Sequence, residues 1–348
     1  MKVMHLLSTD RFAGAENVVC QIIRLFSADT DVSMTYCSPE GVIANVLSGQ
    51  KINYIPLKTM SFAEIKRVVK EYRPDVIHAH DMRASFLAAC AAGKTPLISQ
   101  IHNNAYKSRK PGIKSIAYIY AVLKAKSIIW VSESAFEGYA FNSLAKRKSM
   151  VLRNIVNPEE LTQRMLKDRK DYDYDVAYIG RLSYPKNPMK MLTVIKQVKE
   201  RYTDLKAVIV GWGEEEEDIK NHIKEWNLEK NIDFFGFREN PLKILHDSKL
   251  MLMTSRWEGT PMVVLEAMAL GVPIVSTSVD GLRELVTDGV NGFLSDDENE
   301  ITDRICRLLA DPELRKWMSS EQILKFNKVN NISEYKECLK RVYYESKL

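Results

Sequence analysis

Short apolar runs alternate with longer amphipathic stretches along most of the chain. In the first half the runs are "KVMHLLS", "VSMTYCS", "INYIPL", "PDVIHAH", "PLISQIH" and "SIIWVS". Between them, segments such as 16–27 and "SFAEIKRVVKEY" carry apolar residues at helical spacing. Strand-length runs separated by helix-length ones form the βαβ pattern, which predicts a parallel sheet covered by helices.

The alternation stops at "VLRNIVNPEELTQRMLKDRKDYDYD" and restarts with "VAYIGRLS", "KAVIVGWG", "IDFFGF", "LMLMTS" and "VPIVSTS". The break predicts two Rossmann-like, doubly wound α/β domains, 1–158 and 175–330, with 159–174 as linker. Such sheets bind ligands beyond the carboxyl ends of their strands, so two of them facing each other would line an interdomain cleft with strand-end loops. Gly14, His80, His102, the stretch 180–186, Gly211, Gly213 and the stretch 258–266 all fall shortly after apolar, strand-like runs.

The 348 residues are 45% hydrophobic and 27% charged, enough to bury two cores. No run of eighteen apolar residues occurs, and "MKVMHLLSTDRFAG" has neither the length nor the cleavage site of a secretory signal, so a cytoplasmic protein is expected. Cys20, Cys37, Cys90, Cys306 and Cys338 are scattered without CxxC spacing, which points to neither a disulfide framework nor a zinc site. The net charge of +5 hides an asymmetry: residues 1–158 hold 21 Lys+Arg against 11 Asp+Glu, leaving the remainder at −5. A basic half fits an anionic partner such as a membrane surface or a phosphate-bearing acceptor, and equally a solvated, solubilising face.

The stretch "RWEGTPMVVLEAMALGVPIVS" combines a helix start with two carboxylates. Thr260 suits the N-cap, Pro261 the first helical position, and Gly271 with Pro273 the stop, predicting a helix over 261–270. Val263 stands where a capping box would put Glu or Gln, so the N–H groups of Met262 and Val263 stay open to an anion, which the helix dipole favours. Glu266, roughly 7.5 Å along the axis from Pro261, is placed to accept two hydrogen bonds from ribose hydroxyls. Glu258 lies before the helix, on the other side of the phosphates.

These residues sit in a wider pattern. "EGTPMVVLEAMALGVPIV", with "GRLSYPKN" and "VGWGEEEEDI" upstream and "GLRELVTDGVNGFL" downstream, resembles the donor-binding half of retaining, nucleotide-sugar-dependent glycosyltransferases of the GT-B fold, glycosyltransferase family 4. The resemblance implies that Arg181 and Lys186 in "YIGRLSYPKNP" neutralise a leaving diphosphate without a metal, the bidentate guanidinium being the better suited of the two. It places Gly236, Phe237 and Arg238 of "FFGFREN" near the nucleotide base, ordinary packing being the other reading of Phe237. Gly211 and Gly213 give a tight strand-to-helix turn; a lone GxG also signals nucleotide contact weakly, while Gly213 reads as structural. "DYDYD" and "SDDENE" read as solvated acids, and no metal or cofactor beyond the nucleotide-sugar co-substrate is expected.

In the first half, Gly14, Ala15 and Glu16 match a Gly-Gly-x-Glu-like helix start that lacks its double glycine, and no GxGxxG is present. The likeness directs His102 into the cleft beside the transferred sugar. Strand alternation puts His78 and His80 on one face, with only His80 near the strand end and His78 structural. "HNNAYKSRKPGIKSIAYIYAVLKAK" mixes Lys107, Arg109, Lys110, Lys114, Lys124 and Lys126 with Ile116, Tyr118, Ile119, Tyr120, Val122 and Leu123, and "AKRKS" adds cations. This segment is either an anionic-membrane surface or a core helix with a basic flank. "NIVN" replaces a flexible glycine by Ile155 and receives no ligand role. In the resembled fold the final helix, about 331–348, returns to the first domain.

The resemblance implies transfer of a hexose or N-acetylhexosamine, UDP-linked, to a hydroxyl of a surface-polysaccharide or polyprenyl-diphosphate-linked glycan. Such an enzyme, of the capsule, exopolysaccharide or lipopolysaccharide type, would work at the inner face of the plasma membrane. It further implies front-face displacement with retention, and a hinge at 157–174 that excludes water. Two alternatives remain: a UDP-GlcNAc-epimerase-like enzyme of the same fold, and a non-catalytic nucleotide-sugar-binding scaffold subunit. The basic segment lacks the stacking aromatics and motifs of a nucleic-acid module.

Overall fold

The computed structural model describes residues 1–102 and 108–347. Lys107, counted above in the basic segment, lies outside the described residues. The chain forms two compact units, Met1–Ile155 with Ile332–Leu348, and Val156–Asn331.

The first unit holds β1 (Lys2–Leu6), β2 (Ser33–Pro39), β3 (Tyr54–Leu57), β4 (Val76–Ala79), β5 (Leu97–Ile101), β6 (Ser127–Trp130) and β7 (Ser149–Val151). Their order is β3-β2-β1-β4-β5-β6-β7, and every neighbouring pair is parallel. The second unit holds β8 (Tyr174–Ile179), β9 (Ala207–Val210), β10 (Ile232–Gly236), β11 (Ser248–Met253), β12 (Ile274–Ser276) and β13 (Gly292–Leu294), in the order β10-β9-β8-β11-β12-β13, again all parallel. Strands buried on both faces read as continuous apolar runs, which is why β4 and β9 show no alternation in burial.

In both sheets the order reverses beside the first strand, between β1 and β4 and between β8 and β11. Connections leave to opposite faces there, so the strand ends open into a crevice. The first switch point is tied by Asp81, which caps the helix Met82–Ala91 through Ala84 N and accepts from Ser8 N and Oγ after β1.

The C-terminal helix Ile332–Lys347 belongs to the first unit. It buries Tyr335, Leu339 and Tyr343, and Lys336 Nζ reaches Asp29 Oδ1 at 2.5 Å.

The stretch expected as a linker, 159–174, is instead fixed within the second unit. Asn157 caps a helix, Pro158–Met165, by accepting from Glu159 N and Glu160 N, with Pro158 at its first turn. Asn240 Nδ2 donates to Arg164 O at 2.7 Å and Tyr172 N donates to Asp247 Oδ2 at 3.2 Å. The acids of "DYDYD" pair with Lys206, Lys243 and Lys249, and Asp297 caps the helix Glu298–Ala310. The chain changes unit at 155/156 and at 331/332, where Asn330 bonds Val156 through both N–H and C=O.

Gly211 and Gly213 hold the second switch point together. Gly211 has φ +154, and a Cβ there would stand 1.8 Å from Gly180 O; one at Gly213 would stand 2.0 Å from Leu182 O. The end of β9 thus lies against the backbone that presents Arg181. Gly211→Ala is expected to cost about 3 kcal/mol, seen as a lower denaturant midpoint with unchanged slope. Gly14→Ala, with nothing within 4 Å of the new methyl, should leave the midpoint in place or raise it.

Candidate active site

In the second unit the loop after β8 and the loop after β11 meet at the switch point. Tyr178 Oη donates to Arg181 O at 3.1 Å, and a single 3-10 turn, Tyr184–Lys186, is followed by Asn187 in the left-handed region, φ 52. Thr254 Oγ1 donates to Lys186 O and Asn187 O at 3.2 and 3.0 Å. Arg256 lies over the Tyr184 ring at 4.5 Å, donates from Nε to Tyr184 O and reaches Asn187 Oδ1 from Nη2 at 2.8 Å. The two loops behave as one clamp.

That clamp carries a short ion pair: Lys186 Nζ lies 2.5 Å from Glu258 Oε1, which also accepts from Ser255 Oγ at 2.6 Å. Glu258 is 9% exposed, so the pair is largely out of water and held by a third group. Arg181 is exposed on the same loop. Gly281 sustains the geometry from the far side, since a Cβ there would stand 1.5 Å from Gly259 O.

The helix after Glu258 runs Met262–Ala269, with Pro261 rather than Thr260 at the N-cap. The extended φ/ψ of Pro261, −72/124, excludes it from the helix and moves the start by one residue. The consequence drawn from the sequence is unchanged: no side chain caps this end, Val264 occupies the capping-box position, and Met262 N and Val263 N have no acceptor among the described residues. Glu266 follows four residues after Met262, about 6 Å along the axis.

Glu266 is 8% exposed, and its carboxylate has no hydrogen-bond partner among the described residues. Burial raises its pKa to about 7, and the Arg164 guanidinium pulls the other way. A half-protonated, unpartnered carboxyl beside an uncapped helix end suits a ligand that brings hydroxyl donors and an anion together. Arg164, on the helix Pro158–Met165, is the charge that acts on Glu266, and nothing in the local sequence marks it.

Gly236, Phe237 and Arg238 lie together at the end of β10. Gly236 has φ +61, which favours glycine, and Arg238 lies 5.2 Å from the Phe235 ring. Packing therefore falls to Phe235, while Phe237 is 51% exposed.

In the first unit Gly14 opens the helix Gly14–Leu25, which has no side-chain cap. His102 follows β5, and its Nε2 lies 3.0 Å from His80 Nδ1. His78 Nδ1 bonds Tyr343 Oη at 2.9 Å, a structural contact with the C-terminal helix. His5, which the sequence did not single out, stands opposite His78 in the parallel register and bonds His80 at 2.8 Å. Burial drives the pKa of His5 and of His102 down to about 3 and lowers those of His78 and His80 well below the usual value.

The basic helix Ile113–Lys124 packs Tyr118, Ala121 and Val122 inward. On its other side Ile113, Ile116, Tyr120 and Leu123 are 90, 55, 41 and 65% exposed, one stripe at helical spacing. Lys148, counted among the cations of "AKRKS", is used locally, donating to Val122 O and Leu123 O at 3.2 and 2.8 Å. Among the described residues no helix is long and apolar enough to cross a membrane.

Two all-parallel Rossmann-like sheets, each with its own switch point, make up the GT-B fold. The chain belongs to the glycosyltransferases of this fold: residues 13–160 match Glycosyltransferase Family 4, and residues 162–323 match the glycosyl transferases group 1 family. It is 24% identical over 377 aligned positions, 97% of this chain and 96% of the other, to an Escherichia coli UDP-Gal:alpha-D-GlcNAc-diphosphoundecaprenol alpha-1,3-galactosyltransferase. It is 28% identical over 253 positions, 66% of this chain, to an uncharacterized glycosyltransferase of Methanocaldococcus jannaschii, of which it spans 62%. The structure of Anabaena HepE in complex with UDP-glucose superposes with a TM-score of 0.83 at 20% identity, covering 99% of this chain and 100% of that one, a likeness of fold.

The buried imidazoles have a consequence for stability. His5, His78, His80 and His102 bind protons near pH 6.5 when unfolded and only far below that when folded, so their contribution is present above about 6.5 and lost as the pH falls. Glu266 has the opposite sign, keeping a proton in the folded state up to about 7. Between pH 7 and 5.5 the four imidazoles should remove about 5 kcal/mol and Glu266 return about 2, a net loss of about 3 kcal/mol. Denaturant unfolding at the two pH values measures this difference; a flat profile would contradict neutral burial.

Proposed function

We propose that the protein transfers a hexose or N-acetylhexosamine from a UDP-linked donor, with retention, to a hydroxyl of a lipid-linked or surface-polysaccharide glycan. The observation that carries the donor half of the reading is Glu266, a buried carboxyl four residues into a helix, where among the described residues neither the carboxylate nor the first two N–H groups have a hydrogen-bond partner. A nucleoside diphosphate matches both features, its phosphates against Met262 N and Val263 N and its ribose diol against Glu266.

In this reading Arg181 and Lys186 take up the charge that develops on the leaving diphosphate. Glu258 holds Lys186 in place before the donor arrives and contacts the sugar, and a sugar contact is assigned to His102 as well. No side chain of the second switch point is an evident nucleophile for a double displacement. The favoured step is therefore front-face attack: the acceptor oxygen bonds to the anomeric carbon as the bond to the diphosphate oxygen breaks, and that oxygen receives the acceptor proton. Phe237, Gly236 and Arg238 flank the base, and Gly14 offers room for close approach on the acceptor side.

The acceptor is inferred from the relative's lipid-linked substrate together with the first unit's surface. The exposed stripe of Ile113, Ile116, Tyr120 and Leu123 beside Lys114, Lys124 and Lys126 has the composition of a helix lying at an anionic bilayer interface.

The donor site is tested by titrating the protein with UDP, GDP and ADP. UDP should bind selectively, and Arg181→Ala should weaken it. Binding to ionised Glu266 displaces its proton, so UDP affinity should rise by up to about tenfold from pH 6 to 8 relative to Glu266→Gln, whose own slope reports only the phosphate. Identical pH slopes in the two proteins would remove Glu266 from the ribose site.

The membrane contact is tested with vesicles containing phosphatidylglycerol. The protein should sediment with them, release partly at high salt, and bind at least about tenfold more weakly as Ile113→Glu/Leu123→Glu. Binding unaffected by this double substitution would exclude the stripe.

A further inference from the structure

Four strands of the first unit contribute to a chain of side chains that ends at His102. Met34 comes from β2, His5 from β1, His80 from just beyond β4, and His102 from just beyond β5. His5 Nε2 lies 3.4 Å from Met34 Sδ, His5 Nδ1 lies 2.8 Å from His80 Nε2, and His80 Nδ1 lies 3.0 Å from His102 Nε2. The last atom, His102 Nδ1, is buried without a partner among the described residues.

A neutral imidazole has one N–H and one lone pair, and a thioether sulfur only accepts. His5 therefore carries its proton on Nε2, facing the sulfur, and offers the Nδ1 lone pair. His80 must then donate from Nε2 and accept at Nδ1, and His102 must donate from Nε2. The polarity of the whole chain is set at its methionine end.

We infer that Met34, His5 and His80 act as positioning residues that fix the tautomer of His102, presenting its Nδ1 as a bare lone pair that accepts a hydrogen bond from a hydroxyl of the bound sugar. This rests on the reading above that places His102 at the transferred sugar. Neutrality of all the rings is what the argument needs, and burial supplies it by holding His5, His80 and His102 unprotonated far below neutral pH. An imidazolium at any position would present two N–H groups and break the alternation.

The same cluster has the look of a metal site, because ligand atoms of His5, His78 and His80 lie within 4.8 Å of one another. The hydrogen bonds favour the relay. Two imidazoles on one zinc ion need both nitrogens bare and about 3.3–3.5 Å apart, given zinc–nitrogen bonds of about 2.0–2.1 Å. The 2.8 Å contact between His5 and His80 places a proton between them instead.

The test uses the full chain labelled with 15N-histidine and two-bond 1H–15N correlation spectra at pH 7 without substrate, assigned with single-histidine variants. His5, His80 and His102 are expected as the Nε2–H tautomer. His102 in the Nδ1–H or charged form overturns the relay, as does stoichiometric zinc measured by elemental analysis of the same sample. Met34→Leu keeps the volume and removes the acceptor, so His102 should become a mixture of tautomers while the fold is kept, with the donor KM raised at least about threefold. An unchanged His102 spectrum in that variant overturns the role of Met34. Transfer unaffected by His102→Gln would withdraw His102 from the sugar and overturn the use made of its lone pair, whatever the tautomer; loss of transfer with the Nδ1–H form would overturn the relay and leave the donor-site reading standing.

Discussion

Reversal of strand order in a parallel sheet is the constraint on which this molecule rests. Once helices cover both faces, the only strand ends that their connections do not close over are those where consecutive connections leave in opposite directions. The chain meets this condition twice, between β1 and β4 and between β8 and β11. At the first, His5, His78 and His80 come together; at the second, Lys186, Ser255 and Glu258 do. Each site is assembled from residues far apart in sequence because the topology makes those strands neighbours.

The second switch point illustrates how backbone contact and charge cooperate. Gly211, Gly213 and Gly281 admit carbonyls where a methyl group would overlap them, which keeps the segments after β8, β9, β11 and β12 close together where Lys186 reaches Glu258. A buried ion pair gains little net stability because both charges lose water. Its value in the proposed reaction is positional: Ser255 and Glu258 hold the Lys186 cation in place in advance, so less reorganisation would remain when negative charge develops on a diphosphate. Glu266 shows the complementary choice, a buried carboxyl with no hydrogen-bond partner among the described residues, which in the proposed donor site is left to the ribose.

Much of this was legible in the sequence, and the reasons differ from residue to residue. The parallel sheets followed from apolar runs alone, because strands covered on both faces leave no polar alternation. The helix after Glu258 was legible from its Pro and Gly punctuation to within one residue; whether Pro261 sits inside or outside the helix is decided by its ψ, which composition does not report. The helix Pro158–Met165 carried its own signals, an Asn cap followed by Pro and two glutamates, and was taken for linker because its apolar content is low. His5 was invisible for another reason: nothing local marks it, and its meaning appears only once β1 is set beside β4, with His5 facing His78 across 73 positions of sequence.

That long-range pairing also explains why so polar a cluster is compatible with a core. One neutral imidazole buried alone would leave at least one of its two nitrogens unsatisfied. A row of them satisfies most of these in series, each ring donating to the next, and passes the requirement along to the two ends. At one end Met34, polarizable and able only to accept, closes the series; at the other the requirement emerges at His102. The unpaired atom is thereby moved from the middle of the sheet to the end of a strand.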